Sequence, residues 1–328
     1  MRRNSDKLRS TRHSYSYYPV DNPVLTERMR AAFPVEGYYT YLLHQDLEHV
    51  IPYDVGRDGE REVRVVGPDA NRAMPLIASA LSERGYPSLD DGVRDFVSST
   101  AQHLVLGGPC TYEIDFLYSA DEMGDDPPAA FRLELIAPGT FSTLGSTPIQ
   151  YVLPTISPLR DRSGISYVSL DPSTLVTFTL PSDLVSPVRT MVDFLLAANR
   201  EQGKDFALME RSLTESTPYD FTTHNREKGE LFAEVTQPIG WNVRDLFKDN
   251  RLEPYSVWRQ IRFLEFKVRV RDAILERLNQ AIRRVGRKMD FAATIELTGL
   301  PTPGDVRTLK EDFRSGRRSL RDLVSSTF

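Results

Sequence analysis

Cysteine is almost missing from this 328-residue chain: Cys110 stands alone, so no internal disulfide can form and packing must hold the fold. Long apolar runs are missing as well. No stretch reaches the ~18 uninterrupted apolar residues of a membrane-crossing helix, which excludes a membrane partner of that kind. Met1, Arg2, Arg3, Asn4 and Ser5 bring basic residues without the apolar core of a secretory signal, and the sequence predicts synthesis in a reducing cytoplasm. A cationic excess is lacking too. With 41 basic and 46 acidic side chains the net charge is -5, so attraction of the whole molecule to nucleic acid is not expected and any DNA contact must be local. Absent, finally, are a phosphate-binding glycine loop, a dinucleotide fingerprint, a nucleophile elbow and paired cysteines. No catalytic residue, metal site or cofactor is therefore expected.

What the chain does have is a strand-rich first half and a helical second half, an α+β pattern. Ser88 and Asp91 form a capping-box pair opening a helix with Val93, Phe96, Val97 and Leu104 on one face, stopped by Gly107 and Gly108. Cys110, Tyr112, Ile114 and Phe116 then alternate with Thr111, Glu113 and Asp115, and a second alternating run at Phe131, Leu133 and Leu135 completes an antiparallel hairpin. Shorter strands are expected at 149–153, 165–170 and 174–180. Ser186 and Pro187 read as the N-cap and first turn of a helix to about Glu201, followed by a mixed polar segment, 203–223. A helix at 225–235 ends at Pro238 and Gly240. A long helix follows from about Pro254 to Val285, on the order of 45 Å. Thr302, Pro303 and Asp305 start a last helix closed by Gly316.

Three constellations carry chemistry-bearing residues. His44, Asp46, Glu48 and His49 lie close in sequence, but histidines five apart face different ways on either a helix or a strand, so they do not converge on one metal. Glu113, Asp115 and Glu134 alternate with apolar residues and read as the wet face of the hairpin. Between Trp258 and Lys288 stand ten basic residues and three acidic ones, a local charge of +7 in a chain of net -5. Such a division suits head-to-side packing of identical subunits, basic surface on acidic.

The order of these elements resembles tailed-bacteriophage portal proteins. The helix ending at Gly107 and Gly108, the strand with Tyr112, Glu113 and Ile114, the strand closed by Ala137 and Pro138, and the strand at Ile149, Gln150 and Tyr151 are similar to a portal wing. Ser186 and Pro187 stand where many portals open the first stem helix. Pro238 and Ile239, the irregular run to Pro254, and the long helix with Leu278 and Asn279 resemble the channel loop and spanning helix. Gly299, Leu300, Pro301 and Thr302 resemble the C-terminal region.

The resemblance implies a portal-like α+β fold: an α/β wing with antiparallel strands, stem helices and a long spanning helix. Its parts would be a flexible N-terminal arm (1–23), the wing (24–183), stem helices (184–236) with a clip at about 203–223, the channel loop (237–254), the spanning helix (255–290) and a C-terminal wing or crown (291–328). It implies a homo-oligomeric ring, a 12-mer, at one capsid vertex of the virion. Major capsid protein, a head-tail adaptor, a terminase motor and double-stranded DNA would be its partners in DNA packaging and ejection. Arg244, Lys248 and Arg251 are the DNA-channel candidates, and Arg259, Arg262, Arg269 and Arg271 the subunit-interface candidates. Two alternatives stay open. One is a DNA-binding scaffold using the basic 258–288 helix; the other is a small metal-dependent DNA-processing enzyme using the acidic hairpin or the His44 cluster.

Overall fold

The computed structural model describes residues 8–12, 23–35, 37–53, 61–81, 88–119, 127–152, 166–214, 220–245, 253–319 and 322. In chain order these form β1 (Leu8–Ser10), α1 (Pro23–Ala32), α2 (Tyr38–Leu47), β2 (Glu62–Val66), α3 (Ala70–Leu81), α4 (Leu89–Leu106), β3 (Cys110–Ser119) and β4 (Ala130–Leu135). Then come β5 (Phe141–Leu144), β6 (Thr147–Val152), β7 (Ser166–Ser169), β8 (Leu175–Phe178), α5 (Ser182–Thr214), α6 (Phe221–Thr236), α7 (Glu253–Met289), β9 (Thr294–Thr298) and α8 (Pro303–Ser315). Mixed helix and sheet bears out the α+β class. The chain divides into two compact units, one of Met1–Phe33, Ile51–Thr179 and Ala273–Leu300, the other of Pro34–Val50, Leu180–Asp272 and Pro301–Phe328.

In the first unit β3 is the central strand. Its one edge pairs antiparallel with β4, Tyr112 opposite Leu135 through Leu117 opposite Ala130, as the alternation predicts. Its other edge is shared: β8 covers Cys110–Glu113 and β1 covers Leu117–Ser119. The apolar face packs under α4, where Phe96, Tyr112 and Phe178 meet with ring centroids 5.1 to 5.7 Å apart and Tyr112 Oη lies 2.9 Å from Thr100 Oγ1. α4 starts as expected. Ser88 Oγ accepts from the Asp91 amide, while the reciprocal bond to the Asp91 carboxylate comes from that hydroxyl.

The polar face of β3 corrects the sequence reading. Glu113 is fully buried and Asp115 is 3% exposed, so this is no wet face. Asp115 Oδ1 accepts from Ser10 Oγ at 2.7 Å and from the Thr11 amide at 3.0 Å, and Arg12 reaches Glu134 at 3.4 Å. Alternation reports which face is apolar; it cannot report what a distant segment lays over the other. Residues 8–12 of the expected mobile arm are thus ordered on β3.

Besides β1, two strands escaped the sequence reading, β5 and β9. β5 pairs with β6 around a two-residue turn, Gly145–Ser146, and β6 pairs with β7. β9 pairs with β2, Glu62 opposite Thr298 through Val66 opposite Thr294. The ribbon is tied to α7 by Asn279, which exchanges hydrogen bonds with the Ile295 main chain, and at the end of α7 Arg72 of α3 donates to the Met289 and Asp290 carbonyls and the Phe291 amide donates to Gly286 O. This answers the helix's unsatisfied last-turn carbonyls.

The second unit is helical. α5 begins at Ser182, one turn before the expected cap, and carries Pro187 inside it. It also runs through Gly203 to Thr214, so most of the expected clip, 203–223, is helix. One glycine costs only ~1 kcal/mol relative to alanine, and the strong helix formers Ala207, Leu208, Met209, Glu210 and Arg211 outweigh it. α7 and α8 share a core of Val257, Ile261, Leu264, Val268, Val306 and Leu309. α8 has its full capping box at Thr302 and Asp305 and a left-handed Gly316.

α2 has no cap of its own. Gly37, at φ 141°, offers no side chain, and Asn199 of α5 fills the place: its Oδ1 accepts from the Tyr39 amide and its Nδ2 donates to Thr40 Oγ1. A side chain at 37 would occupy the space of the Asn199 amide.

Candidate functional site

The turn leaving α6 is the root of the segment 238–254. Thr236 and Gly240 close it, with Gly240 N donating to Thr236 O at 2.9 Å. Gly240 has φ 85°, and a Cβ there would fall 2.5 Å from Arg259 O, so only glycine lets the turn lie on α7. Trp241 is fully buried and donates its indole N–H to Asp46 Oδ2 at 2.8 Å. Val243 and Arg244 follow at φ 53° and 51°, a left-handed pair costly for side chains with a Cβ, and for branched valine above all. Arg244 is held there by Asp46 Oδ1, 2.9 Å from Nε and 2.8 Å from Nη2.

Asp46 is the centre of this root. Beside Trp241 and Arg244, Lys267 of α7 senses its charge: burial pushes the Lys267 ammonium below the ordinary lysine range, and Asp46 pulls it partly back. The ammonium lies 5.3 Å from the Phe263 ring centroid. On the same helix as Asp46, burial pushes the His44 imidazole down while Glu48 raises it. Asp46 therefore serves as a counter-ion, the role its sequence cluster did not disclose.

Of the channel candidates, Arg244 sits at this root with its charge offset by Asp46. Lys248 and Arg251 lie outside the described residues.

The interface candidates separate into two kinds. Arg259 is 1% exposed and donates to Ala233 O at 3.1 Å, to Thr236 Oγ1 and to Trp241 O. Arg271 is 5% exposed and donates to Pro301 O and Asp272. Each is buried and answers carbonyls of its own chain. Arg262 is half-buried and donates to Pro238 O. Arg269 pairs with Asp183 at 2.6 and 2.8 Å and holds that carboxyl below the ordinary aspartate range.

The same economy runs along α7. Arg277 donates to Thr177 O, Arg284 to Ser173 O and Leu175 O, and the Lys288 ammonium sits 4.0 Å from the Phe116 ring centroid. At least six of the ten basic residues thus donate hydrogen bonds inside the chain. The sequence hint was available: Pro238 and Gly240 end a helix whose carbonyls need donors, and Arg259 and Arg262 lie three apart on one helix face.

Where α7 begins and α8 ends, Pro254, Tyr255, Trp258, Phe313 and Arg314 line an open cleft. Trp258 stacks on Phe313 at 5.4 Å, and the Arg314 guanidinium lies over Trp258. Among the described residues no group of three His, Cys, Asp or Glu side chains is arranged to hold a metal, and no helix is long and apolar enough to cross a membrane. No protein-family model matches the chain, nor does any curated protein or solved structure.

Proposed function

We propose that this chain is a portal-type ring subunit, a conduit for DNA and a docking platform at a capsid vertex, with ATP hydrolysis supplied by a separate motor. The observation that carries the reading is the order of long helices after a strand-rich region. A 33-residue helix and a 16-residue helix lead to the anchored turn that ends at Asp245, and a helix of 37 residues begins at Glu253. At 1.5 Å per residue that last helix is about 55 Å long.

In this reading Asp46 fixes the root of the loop. Lys248 and Arg251 would bring positive charge to the channel, repeated by symmetry around the axis. A balanced rather than strongly cationic lining lets DNA slide, because each tightly neutralised phosphate adds a counterion-release term to its retention. Arg262 and Arg269 remain interface candidates. DNA binding along α7, the scaffold alternative, loses support because so many of its arginines are engaged inside the chain. The enzyme alternative loses support because Glu113 and Asp115 are buried and Asp115 is engaged by Ser10 and Thr11.

The test is the mass of the purified particle by light scattering, with negative-stain images of the same sample. A closed ring of many 37.3 kDa chains supports the proposal. A monomer at all accessible concentrations overturns it.

A further inference from the structure

We propose that the edge of β3 holding Ser10 and Thr11 is a strand-exchange site, filled in the assembled particle by residues 8–12 of a second copy of this chain. The proposal rests on the ring reading and adds the joint between neighbours. The edge is divided between two short strands, and Asp115 lies in the gap between the residues each one covers.

β1 brings main-chain pairing at Leu8, Arg9 and Ser10. Next to it the Thr11 amide donates to Phe116 O at 3.1 Å, and the Phe116 amide donates to Thr11 Oγ1 at 3.0 Å. Asp115 adds the selectivity. Its buried carboxylate accepts both the Ser10 hydroxyl and the Thr11 amide, so the site recognises an extended strand with a hydroxyl at that position. The strand that fits is the chain's own 8–12 sequence, and the contacts are identical whichever copy supplies it.

Exchange therefore costs no contact energy, which is why swapped elements are a low-cost route to assembly. Ten residues, 13–22, separate Arg12 from α1; fully extended, ten residues reach about 33 Å. That is the span of a small domain, enough to cross to a neighbour. A copy whose strand has left keeps Asp115 uncovered until another strand arrives, so among exchanged assemblies only a closed one satisfies every site.

Paired cysteines test this. The Thr11 amide donates to the Phe116 carbonyl, and alternation from that bond makes Ser10 opposite Leu117 and Leu8 opposite Ser119 the closer, non-hydrogen-bonded pairs that suit a cross-strand disulfide. Leu8→Cys with Ser119→Cys is made in the full chain, and Ser10→Cys with Leu117→Cys repeats it one pair along. Cys110 is buried, and burial pushes its thiol up to about 12, so it stays out of the reaction.

After oxidation of the native particle, a denaturing gel without reductant should show a covalent ladder that collapses on reduction and is missing from each single-cysteine variant. A ring by light scattering whose chains carry only internal links sinks the exchange and leaves the ring reading standing. Internal links in a monomeric protein sink both. No link from either pair means that the strand does not occupy this edge, and the proposal falls.

Discussion

Arg259 in the second unit and Asp115 in the first are both buried charges, and both are satisfied mainly by amides, carbonyls and hydroxyls. They differ in how far away their partners lie along the chain. Arg259 is held by Ala233, Thr236 and Trp241, within 26 positions of it, and it joins two helices to the turn between them. Asp115 is held by Ser10 and Thr11, more than 100 positions away, on and next to a strand that among the described strands pairs with β3 alone. A buried cation that ties consecutive elements is part of a unit's integrity. A buried anion that receives a remote strand is a binding site within the fold.

The difference can be broken by mutation. Arg259→Ala should have the largest effect, about 3 kcal/mol or more, because it strands carbonyls at the end of α6 in a buried setting. Urea unfolding followed by tryptophan fluorescence checks it, since Trp241 reports on that turn. Gly240→Ala should follow at about 2 kcal/mol, from the left-handed backbone and the Cβ driven into α7. A silent alanine would mean that the turn does not lie on Arg259 as described.

Asp115→Asn should cost less, about 1 kcal/mol, and act locally. Trypsin should cut after Arg9 or Arg12 faster than in the parent chain while the remaining fold stays intact. Global unfolding in this variant would erase the contrast with Arg259. The smallest effect belongs to Asp183→Asn, which removes the exposed partner of half-buried Arg269. The Asp183 carboxyl is lowered in the folded chain, so its contribution is present above the ordinary aspartate value of about 3.9 and lost as pH falls through the folded value. Stability curves of the two proteins should therefore lie slightly apart at neutral pH, converge in acid and draw together in high salt.

Local signals made much of the fold legible. Ser88 with Asp91, Thr302 with Asp305 and the alternation on either side of 120–126 each depend on neighbours within a few residues. What failed to show was long-range. β9 alternates Ile295 and Leu297, yet its partner β2 lies some 230 residues earlier, and five residues are too few to declare a strand alone. The covering of Asp115 depends on Ser10 and Thr11, which carry no period. At the site, charge counting found the right helix but misread its arginines. A sum of charges cannot distinguish a guanidinium facing solvent from one answering the carbonyls of a broken helix. Asp46 was visible only as a member of a histidine cluster, because its partners Trp241 and Arg244 come almost 200 residues later.

The borrowed cap on α2 has a consequence for the order of events in synthesis. Ten residues make a helix too short to persist in water, and its first turn is completed by Asn199, 160 positions downstream of Tyr39. As the chain leaves the ribosome, α2 must wait until α5 has emerged and docked. The first turn of α2 is thus closed by a long-range contact that forms only after residue 199 has been made.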